Sequence, residues 1–286
     1  MQQHINQKLV AMEQDARITT RGAAYSRLRS LGLNDFALVL WSMPNDRYPR
    51  LSTLFPAMAS PDVQKMWTGQ AGYTLLSQSV SFMRSASANY AELTGGSLVG
   101  KRILDFGCGY GRLLRLAAFY SDDVYGVDPG QKVLGFCAKA GLVDNIELSE
   151  YLPSSLPAPT DIDFAYAFSV FTHLSEQATK ICLAALRKHM NPQAILCITI
   201  RPLEYWRVAH STMVETGLRA LELQHRENGF AFFPHNRAPV DGDIIYGDTS
   251  MTLEWLGEAA GPDWKIEAVD RCLEDGQQRY VFLRAT

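Results

Sequence analysis

Apolar residues recur at two different spacings along this chain, and the change falls near residue 100. Over residues 1–97 the spacing is helical: Ile5, Leu9 and Met12 share one helical face, and a longer helix is predicted from Tyr73 to Leu93. We therefore expect this part of the chain to form a helical N-terminal cap or extension.

Beyond Gly100, short apolar runs alternate with amphipathic stretches, which is the pattern of a parallel sheet built from strand–helix units. The clearest helix is predicted from Glu176 to Met190, with Ser175 as its cap and Asn191-Pro192 as its stop. Strands are predicted at Arg102–Phe106, Asp123–Val127, Asn145–Leu148, Asp163–Phe168 and Ala194–Thr199, with a closing pair at Trp264–Val269 and Gln278–Arg284. The fold class that follows is α/β: a Rossmann-like, doubly wound, mainly parallel seven-stranded sheet over residues 98–286.

An aromatic-rich segment interrupts this pattern at about residues 202–249 and is expected to be an insertion that faces the substrate. Its aromatic side chains are more often core-packing groups than pocket-lining groups, so we expect most of them to be buried. They are Tyr205, Trp206, Phe230, Phe232, Phe233 and Tyr246.

Charge and composition exclude several classes of function. The 286 residues carry 27 Lys and Arg against 30 Asp and Glu, a net charge of −3, so no general positive field exists to attract nucleic acid. No apolar run approaches the roughly 20 residues of a membrane span, and the N-terminus lacks the apolar core of a secretion signal. Five cysteines without metal-ligand spacing predict reduced thiols, no metal and a cytoplasmic location.

Two features place the candidate chemistry at the ends of the first two predicted strands. Residues 103–112, Ile-Leu-Asp-Phe-Gly-Cys-Gly-Tyr-Gly-Arg, end a buried strand with a glycine turn that lets a ligand approach the backbone. Asp128 ends the next strand, 128 − 109 = 19 residues after Gly109, at the position from which an acid accepts the ribose hydroxyls of an adenosine. A nucleotide-type cofactor is therefore expected.

Two cofactor classes compete for such a site, a nicotinamide dinucleotide and S-adenosyl-L-methionine. The dinucleotide fingerprint is G-x-G-x-x-G/A, whereas Gly107, Gly109 and Gly111 give G-x-G-x-G. Asp105 stands where a pyrophosphate would approach, and a carboxylate there repels a diphosphate but suits a ligand with a sulfonium and an ammonium group. The negative charge of Asp105 therefore favours S-adenosyl-L-methionine over a dinucleotide as the cofactor.

These residues resemble the class I S-adenosylmethionine-dependent methyltransferases, from about Trp67 to the C-terminus. Residues 104–112 resemble the first motif of that family, and residues 126–129, Gly-Val-Asp-Pro, resemble its ribose-binding acid and the turn that follows. Residues 163–174 resemble its fourth strand and the loop beyond, in a form typical of a bacterial subgroup that modifies small molecules or polysaccharides.

The resemblance implies a role for each matching residue. Gly107 and Gly109 would approach the methionine part of the cofactor with Cys108 packed between them, and Asp105 would hold its ammonium. Asp128 would take the ribose. Adenine would be lined by Pro129, Glu150 and Tyr151, and Phe168 would lie near the sulfonium.

His173 is the candidate general base, because it follows the fourth strand at the edge where open α/β sheets bind ligands. The alternative is a structural residue at a helix start that hydrogen-bonds a loop carbonyl. Arg112 and Arg115 open the helix after the glycine loop, where they either orient the cofactor carboxylate or face solvent, and solvent exposure is favoured. Whether residues 1–97 form a lid or a surface that docks a partner stays open.

The predicted activity is methyl transfer to a small-molecule or carbohydrate-like acceptor, and oxygen is favoured over nitrogen as the methylated atom. Two alternatives remain from the sequence: an NAD(P)-binding oxidoreductase, and a regulator that binds S-adenosylmethionine without catalysis.

Overall fold

The computed structural model describes residues 3–271, 273 and 276–286. Cys272 was predicted to be a core thiol and lies outside the described residues. Six helices form the N-terminal part, as predicted: α1 Gln3–Gln14, α2 Arg21–Leu28, α3 Leu33–Trp41, α4 Pro49–Leu54, α5 Pro61–Thr68 and α6 Gly72–Thr94.

The first helices pack around a hydrophobic cluster of their own. Ile5, Leu9 and Met12 of α1 are almost completely buried there, which confirms the predicted apolar face. Helix α6 instead belongs to the cluster beneath the central sheet, where Phe82 packs edge to face against Tyr166. The last helix of the extension is thereby fixed to the sheet that carries the candidate site.

The central sheet has seven strands, as predicted: β1 Ile103–Phe106, β2 Val124–Asp128, β3 Ile146–Leu148, β4 Ile162–Ala167, β5 Met190–Ile200, β8 Trp264–Asp270 and β9 Arg279–Ala285. Their order across the sheet is β3-β2-β1-β4-β5-β9-β8. Neighbours among β1 to β5 run parallel, and β9 is antiparallel to both β5 and β8. The connecting helices are α7 Leu114–Ala117, α8 Gln131–Lys139 and α9 Glu176–Arg187, with α12 Leu253–Ala260 before β8.

The predicted end of α9 was wrong by one turn. The helix stops at Arg187, and Met190 already pairs with Ile162 of β4. The register then shifts, so that Phe164 pairs with Ile195, and Gln193 takes a φ of 67° in the extra length of β5. Asn191-Pro192 thus belongs to an irregular strand start, because burial of Met190 against the sheet outweighs its helix preference.

The insertion contains two helices, α10 Tyr205–Ala209 and α11 Glu215–Asn228, and an antiparallel pair, β6 Phe230–Pro234 with β7 Gly247–Met251. Half of its six aromatic side chains are buried, fewer than expected: Tyr205, Trp206 and Phe230 pack in cores, Phe232 and Tyr246 are partly buried, and Phe233 is 39% exposed. None of the helices in the described ranges is long and apolar enough to cross a membrane.

Candidate cofactor and acceptor site

A cavity of about 720 Å³ opens at the carboxyl ends of β1, β2, β4 and β5. This is the edge at which open parallel sheets bind ligands, because the loops that leave the strands diverge there. Every site residue predicted from the sequence lines this cavity: Asp105, Gly107, Cys108, Gly109, Asp128, Pro129, Glu150, Tyr151, Phe168 and His173.

The glycine loop needs glycine for two different reasons. Gly107 has a φ of 78°, and a Cβ there would lie 2.4 Å from Cγ2 of Val170, so both the backbone and the packing exclude a side chain. Gly109 has a φ of 56° but no atom within 4 Å of an added Cβ, so open space lies beside it. The loop therefore presents bare backbone to the cavity.

Asp128 is fixed by the backbone of the glycine loop and of its own turn. Its Oδ2 accepts from the Gly109 N–H at 2.9 Å and its Oδ1 from the Gly130 N–H at 2.7 Å. Burial raises the pKa of this carboxyl, and the two N–H groups oppose part of that rise. Each carboxylate oxygen has a second lone pair, so the oriented group can still accept two hydroxyl donors.

Asp105 is a buried carboxyl that lacks a partner at one oxygen. It is 2% exposed, and its Oδ2 accepts no hydrogen bond from the described residues. Burial raises its pKa to about 8, although nearby Tyr166 and Arg112 lower it in part. A buried, unpaired acceptor at a cavity wall fits a ligand that brings a cationic donor.

Arg112 is buried beside the same loop, so the prediction that it faces solvent was wrong. Its Nη1 donates to Oγ of Ser79 at 2.6 Å, and its guanidinium carbon lies 4.9 Å from the centre of the Phe168 ring. Within the described ranges it forms no ion pair with a carboxylate, and burial lowers its pKa. A buried guanidinium that lines the cavity in this way fits an anionic ligand group.

Arg115 is also buried, which corrects the second expectation of solvent exposure. It donates to the carbonyl oxygens of Tyr110, Gly111 and Ala57 at 2.6 to 2.9 Å. These bonds tie the glycine loop to the N-terminal extension, so Arg115 supports the loop.

Cys108, Phe168, Glu150 and Tyr151 take different positions at the cavity. Cys108 is buried, and burial together with the neighbouring Cys137 raises its pKa, so it packs as a neutral thiol. Phe168 is 9% exposed at the cavity wall. Glu150 and Tyr151 lie exposed on the rim, after β3.

His173 lines the cavity with both ring nitrogens engaged. Its Nδ1 lies 2.7 Å from the carbonyl oxygen of Gly247, and its Nε2 lies 3.2 Å from Nη2 of Arg201. The carbonyl can only accept, so Nδ1 carries the proton and Nε2 accepts from Arg201. Burial and the charge of Arg201 lower the pKa of His173 to about 4, which keeps the ring neutral near pH 7.

Asp248 organises the side chains behind His173. Its Oδ1 accepts from Arg201 at 2.8 Å and from the Tyr205 hydroxyl at 2.8 Å, and its Oδ2 pairs with His235 at 3.0 Å. Burial opposes ionisation, but these hydrogen bonds and the charge of Arg201 lower its pKa to about 2. Arg201 is thereby held against His173.

Two charged cavity residues, Arg201 and Arg237, were not found from the sequence. Arg201 directly follows an apolar strand, the same signal that identified Asp128, and could have been found in that way. Arg237 carries no local signal, because the insertion brings it to the cavity by its tertiary fold. Within the described ranges, no group of three or more His, Cys, Asp or Glu side chains could hold a metal ion.

The sheet order, the glycine loop after β1 and the acid at the end of β2 define a Rossmann-like protein that binds a nucleotide-type cofactor. A family model described as a methyltransferase domain matches residues 103–193, which include the glycine loop, Asp128 and His173. This match assigns residues 103–193 to a methyltransferase domain.

The fold is also that of a solved S-adenosylmethionine-dependent methyltransferase from Clostridium acetobutylicum ATCC 824. The TM-score is 0.51 at 13% identity, over 78% of this chain and 96% of that chain. A magnesium protoporphyrin IX methyltransferase from Synechocystis PCC 6803, solved with bound SAH, gives a TM-score of 0.49 at 18% identity over 79% and 94%. No curated protein matches the chain.

Proposed function

We propose that the protein transfers the methyl group of S-adenosylmethionine to an oxygen atom of a small-molecule or carbohydrate-like acceptor. One observation carries the cofactor part: Asp105 and Arg112 are a buried carboxyl and a buried guanidinium that line the same cavity without forming an ion pair with each other within the described ranges. This arrangement suits the amino-acid end of the cofactor, with the ammonium on Asp105 and the carboxylate on Arg112.

The other predicted contacts follow from the same orientation. Asp128 would accept the ribose hydroxyls, and the bare backbone at Gly107 and Gly109 would allow the methionine part to approach. When bound, S-adenosylmethionine supplies an electrophilic methyl group on a positively charged sulfur. Phe168 would offer its ring face to that charge.

Adenine would then lie toward the rim, against Pro129, Glu150 and Tyr151, all of which line the cavity. Exposure of Glu150 and Tyr151 suits this position, because one edge of the adenine can remain in contact with solvent.

Oxygen is favoured over nitrogen as the methylated atom because of the charges at the acceptor end. This end of the cavity is lined by His173, Arg201, Arg237 and Tyr246. Arg201 is paired with Asp248, but Arg237 has no carboxylate partner within the described ranges, so a protonated amine would be repelled by its guanidinium group. The general-base role of His173 stays a prediction, and its contact with Arg201 is a competing interaction for any acceptor proton.

We further propose that the N-terminal extension, residues 1–97, is part of the site and that residues 98–286 form the methyltransferase domain, with residues 202–249 as its substrate-facing insertion. In support, Trp67, Gln70 and Gln78 line the cavity. The extension would then act as a wall or lid over the bound ligands.

A cytoplasmic location is proposed on the state of the cysteines. The four described ones, Cys108, Cys137, Cys182 and Cys197, are buried free thiols, which is typical of proteins in reducing compartments.

Calorimetric titration tests the cofactor assignment. We expect S-adenosylmethionine to bind and NADPH and NADH not to bind, because Asp105 would face a pyrophosphate. Asp128→Asn should weaken binding, whereas Asp46→Asn, an exposed carboxylate away from the cavity, should leave it unchanged. Binding of a dinucleotide without S-adenosylmethionine would overturn the assignment.

Release of S-adenosylhomocysteine tests catalysis. An acceptor-dependent release supports an enzyme, whereas tight binding of S-adenosylmethionine with no release over a broad set of acceptors supports the non-catalytic regulator.

A further inference from the structure

The acceptor end of the cavity holds a positive charge that the protein does not neutralise. Arg201 is neutralised by Asp248 in an ion pair of 2.8 Å. Arg237 forms no ion pair within the described ranges, and its guanidinium carbon lies 3.9 Å from the centre of the Tyr246 ring. Both Arg237 and Tyr246 line the cavity, so this charge faces the space available to an acceptor.

The three carboxylates that line the cavity belong to other elements: Asp105 lies in β1, Asp128 ends β2 and Glu150 follows β3, where the proposed cofactor contacts are. The sulfonium of the cofactor would add a further positive charge between the two ends. An acceptor with a negative charge would therefore be attracted electrostatically, whereas a neutral one would gain no charge–charge attraction from Arg237.

Removal of a proton from an acceptor is obstructed at the same place. The lone pair of His173 Nε2 accepts from Arg201, and Arg201 is itself held by Asp248 and by the carbonyl oxygen of Thr172 at 2.8 Å. An alcohol would have to displace this guanidinium before it could give its proton to His173. A nucleophile that is already ionised needs no such base.

We propose, on the basis of the proposed function, that the acceptor is a small organic acid, that the methylated atom is a carboxylate oxygen, and that Arg237 determines this specificity. The oxygen forms a bond to the methyl carbon as the carbon–sulfur bond breaks, and that electron pair remains on sulfur. No proton moves, and the products are a methyl ester and neutral S-adenosylhomocysteine. Loss of the negative charge weakens the contact with Arg237, which favours release of the ester.

The alkali stability of the product tests this proposal directly. The protein is incubated with S-adenosylmethionine labelled with tritium in its methyl group and with a deproteinised small-molecule extract of the source cells. Mild alkali hydrolyses a methyl ester and releases volatile tritiated methanol, whereas methyl ethers and N-methyl groups keep their label. We expect most of the label to become volatile.

The outcomes separate this proposal from the one it rests on. A labelled product that survives alkali overturns the proposal that the acceptor is an organic acid, but leaves the methyl transfer of the proposed function in place. If formation of that stable product also requires His173 and rises with pH, the result supports His173 as the general base. No labelled product, with S-adenosylmethionine still bound, overturns both.

Substitution of Arg237 tests the residue itself. Arg237→Gln should raise KM for the acid about tenfold with little change in kcat, since a charge-assisted contact made before and during reaction is lost. Arg237→Lys should recover part of the affinity, and Arg226→Gln, an exposed arginine on α11, should behave as the unchanged protein. An unaltered KM in Arg237→Gln overturns the assignment of this residue.

A binding measurement gives a readout without turnover. Protein saturated with S-adenosylhomocysteine is mixed with the same extract, and the small molecules retained on ultrafiltration are identified by mass spectrometry. We expect retained acids that are lost with Arg237→Gln; retention of neutral compounds alone overturns the proposal.

Discussion

Binding of S-adenosylmethionine should release a proton from Asp105. Its pKa is raised to about 8 in the ligand-free cavity because the carboxyl is 2% exposed and one oxygen lacks a partner. At pH 7 such a group is protonated in about nine-tenths of the molecules. An ammonium group in contact with it favours the carboxylate, so binding should expel about 0.9 proton per site.

The sign of the pH dependence follows from this linkage. Because the free protein binds more protons than the complex, affinity should rise with pH, by about tenfold per unit below pH 7. Calorimetry at pH 7 in buffers of different ionisation enthalpy measures the proton released. Asp105→Asn should abolish the release and weaken binding by about 1.5 to 3 kcal/mol, the range for a hydrogen bond to a charged group.

Asp46→Asn is the matched control, since this exposed carboxylate lies outside the cavity and should leave both quantities unchanged. Affinity that is flat between pH 6 and 7, or a proton release that persists in Asp105→Asn, would refute this account of the carboxyl.

Three further predictions concern the cofactor loop and the acceptor end. Arg112→Gln should weaken the binding of S-adenosylmethionine about 10- to 100-fold but leave the binding of adenosine unchanged, because adenosine has no carboxylate. Equal losses of affinity for both ligands in calorimetry would contradict this. Gly107→Ala should lower the melting temperature, because its Cβ would clash with Val170. Gly109→Ala should lower the melting temperature less but still abolish cofactor binding. Equal melting temperatures for the two variants would contradict this. Asp248→Asn should lower the free energy of unfolding by about 3 to 5 kcal/mol in chemical denaturation, since it leaves the buried guanidinium of Arg201 without a carboxylate partner. A change near zero would contradict the structural role given to Asp248.

The parts of the site that the sequence predicted correctly depend on local signals. Gly107, Gly109 and Asp128 directly end strands or begin the turns that follow, so their position at the sheet edge follows from the strand pattern alone. The mainly parallel seven-stranded sheet required little more than the alternation of strands and helices, whereas its strand order was not predicted. The family match to residues 103–193 covers this same locally encoded region.

The corrections concern residues whose surroundings come from distant parts of the chain. Arg112 is buried because Ser79, 33 positions earlier on α6, accepts its hydrogen bond. His173 was placed correctly at the cavity, but its partners Arg201 and Gly247 follow 28 and 74 positions later. The spacing of charged residues along the chain cannot predict such pairs, because they form only when the extension and the insertion pack on the sheet.

A crystal structure of the complex with S-adenosylhomocysteine tests the central claim most directly. The account predicts density for the ligand along the glycine loop, with its amino group on Asp105, its carboxylate near Arg112 and its ribose hydroxyls on Asp128. Ligand density elsewhere in the protein, or a cofactor lying along this loop with its amino-acid end away from Asp105 and Arg112, would contradict it.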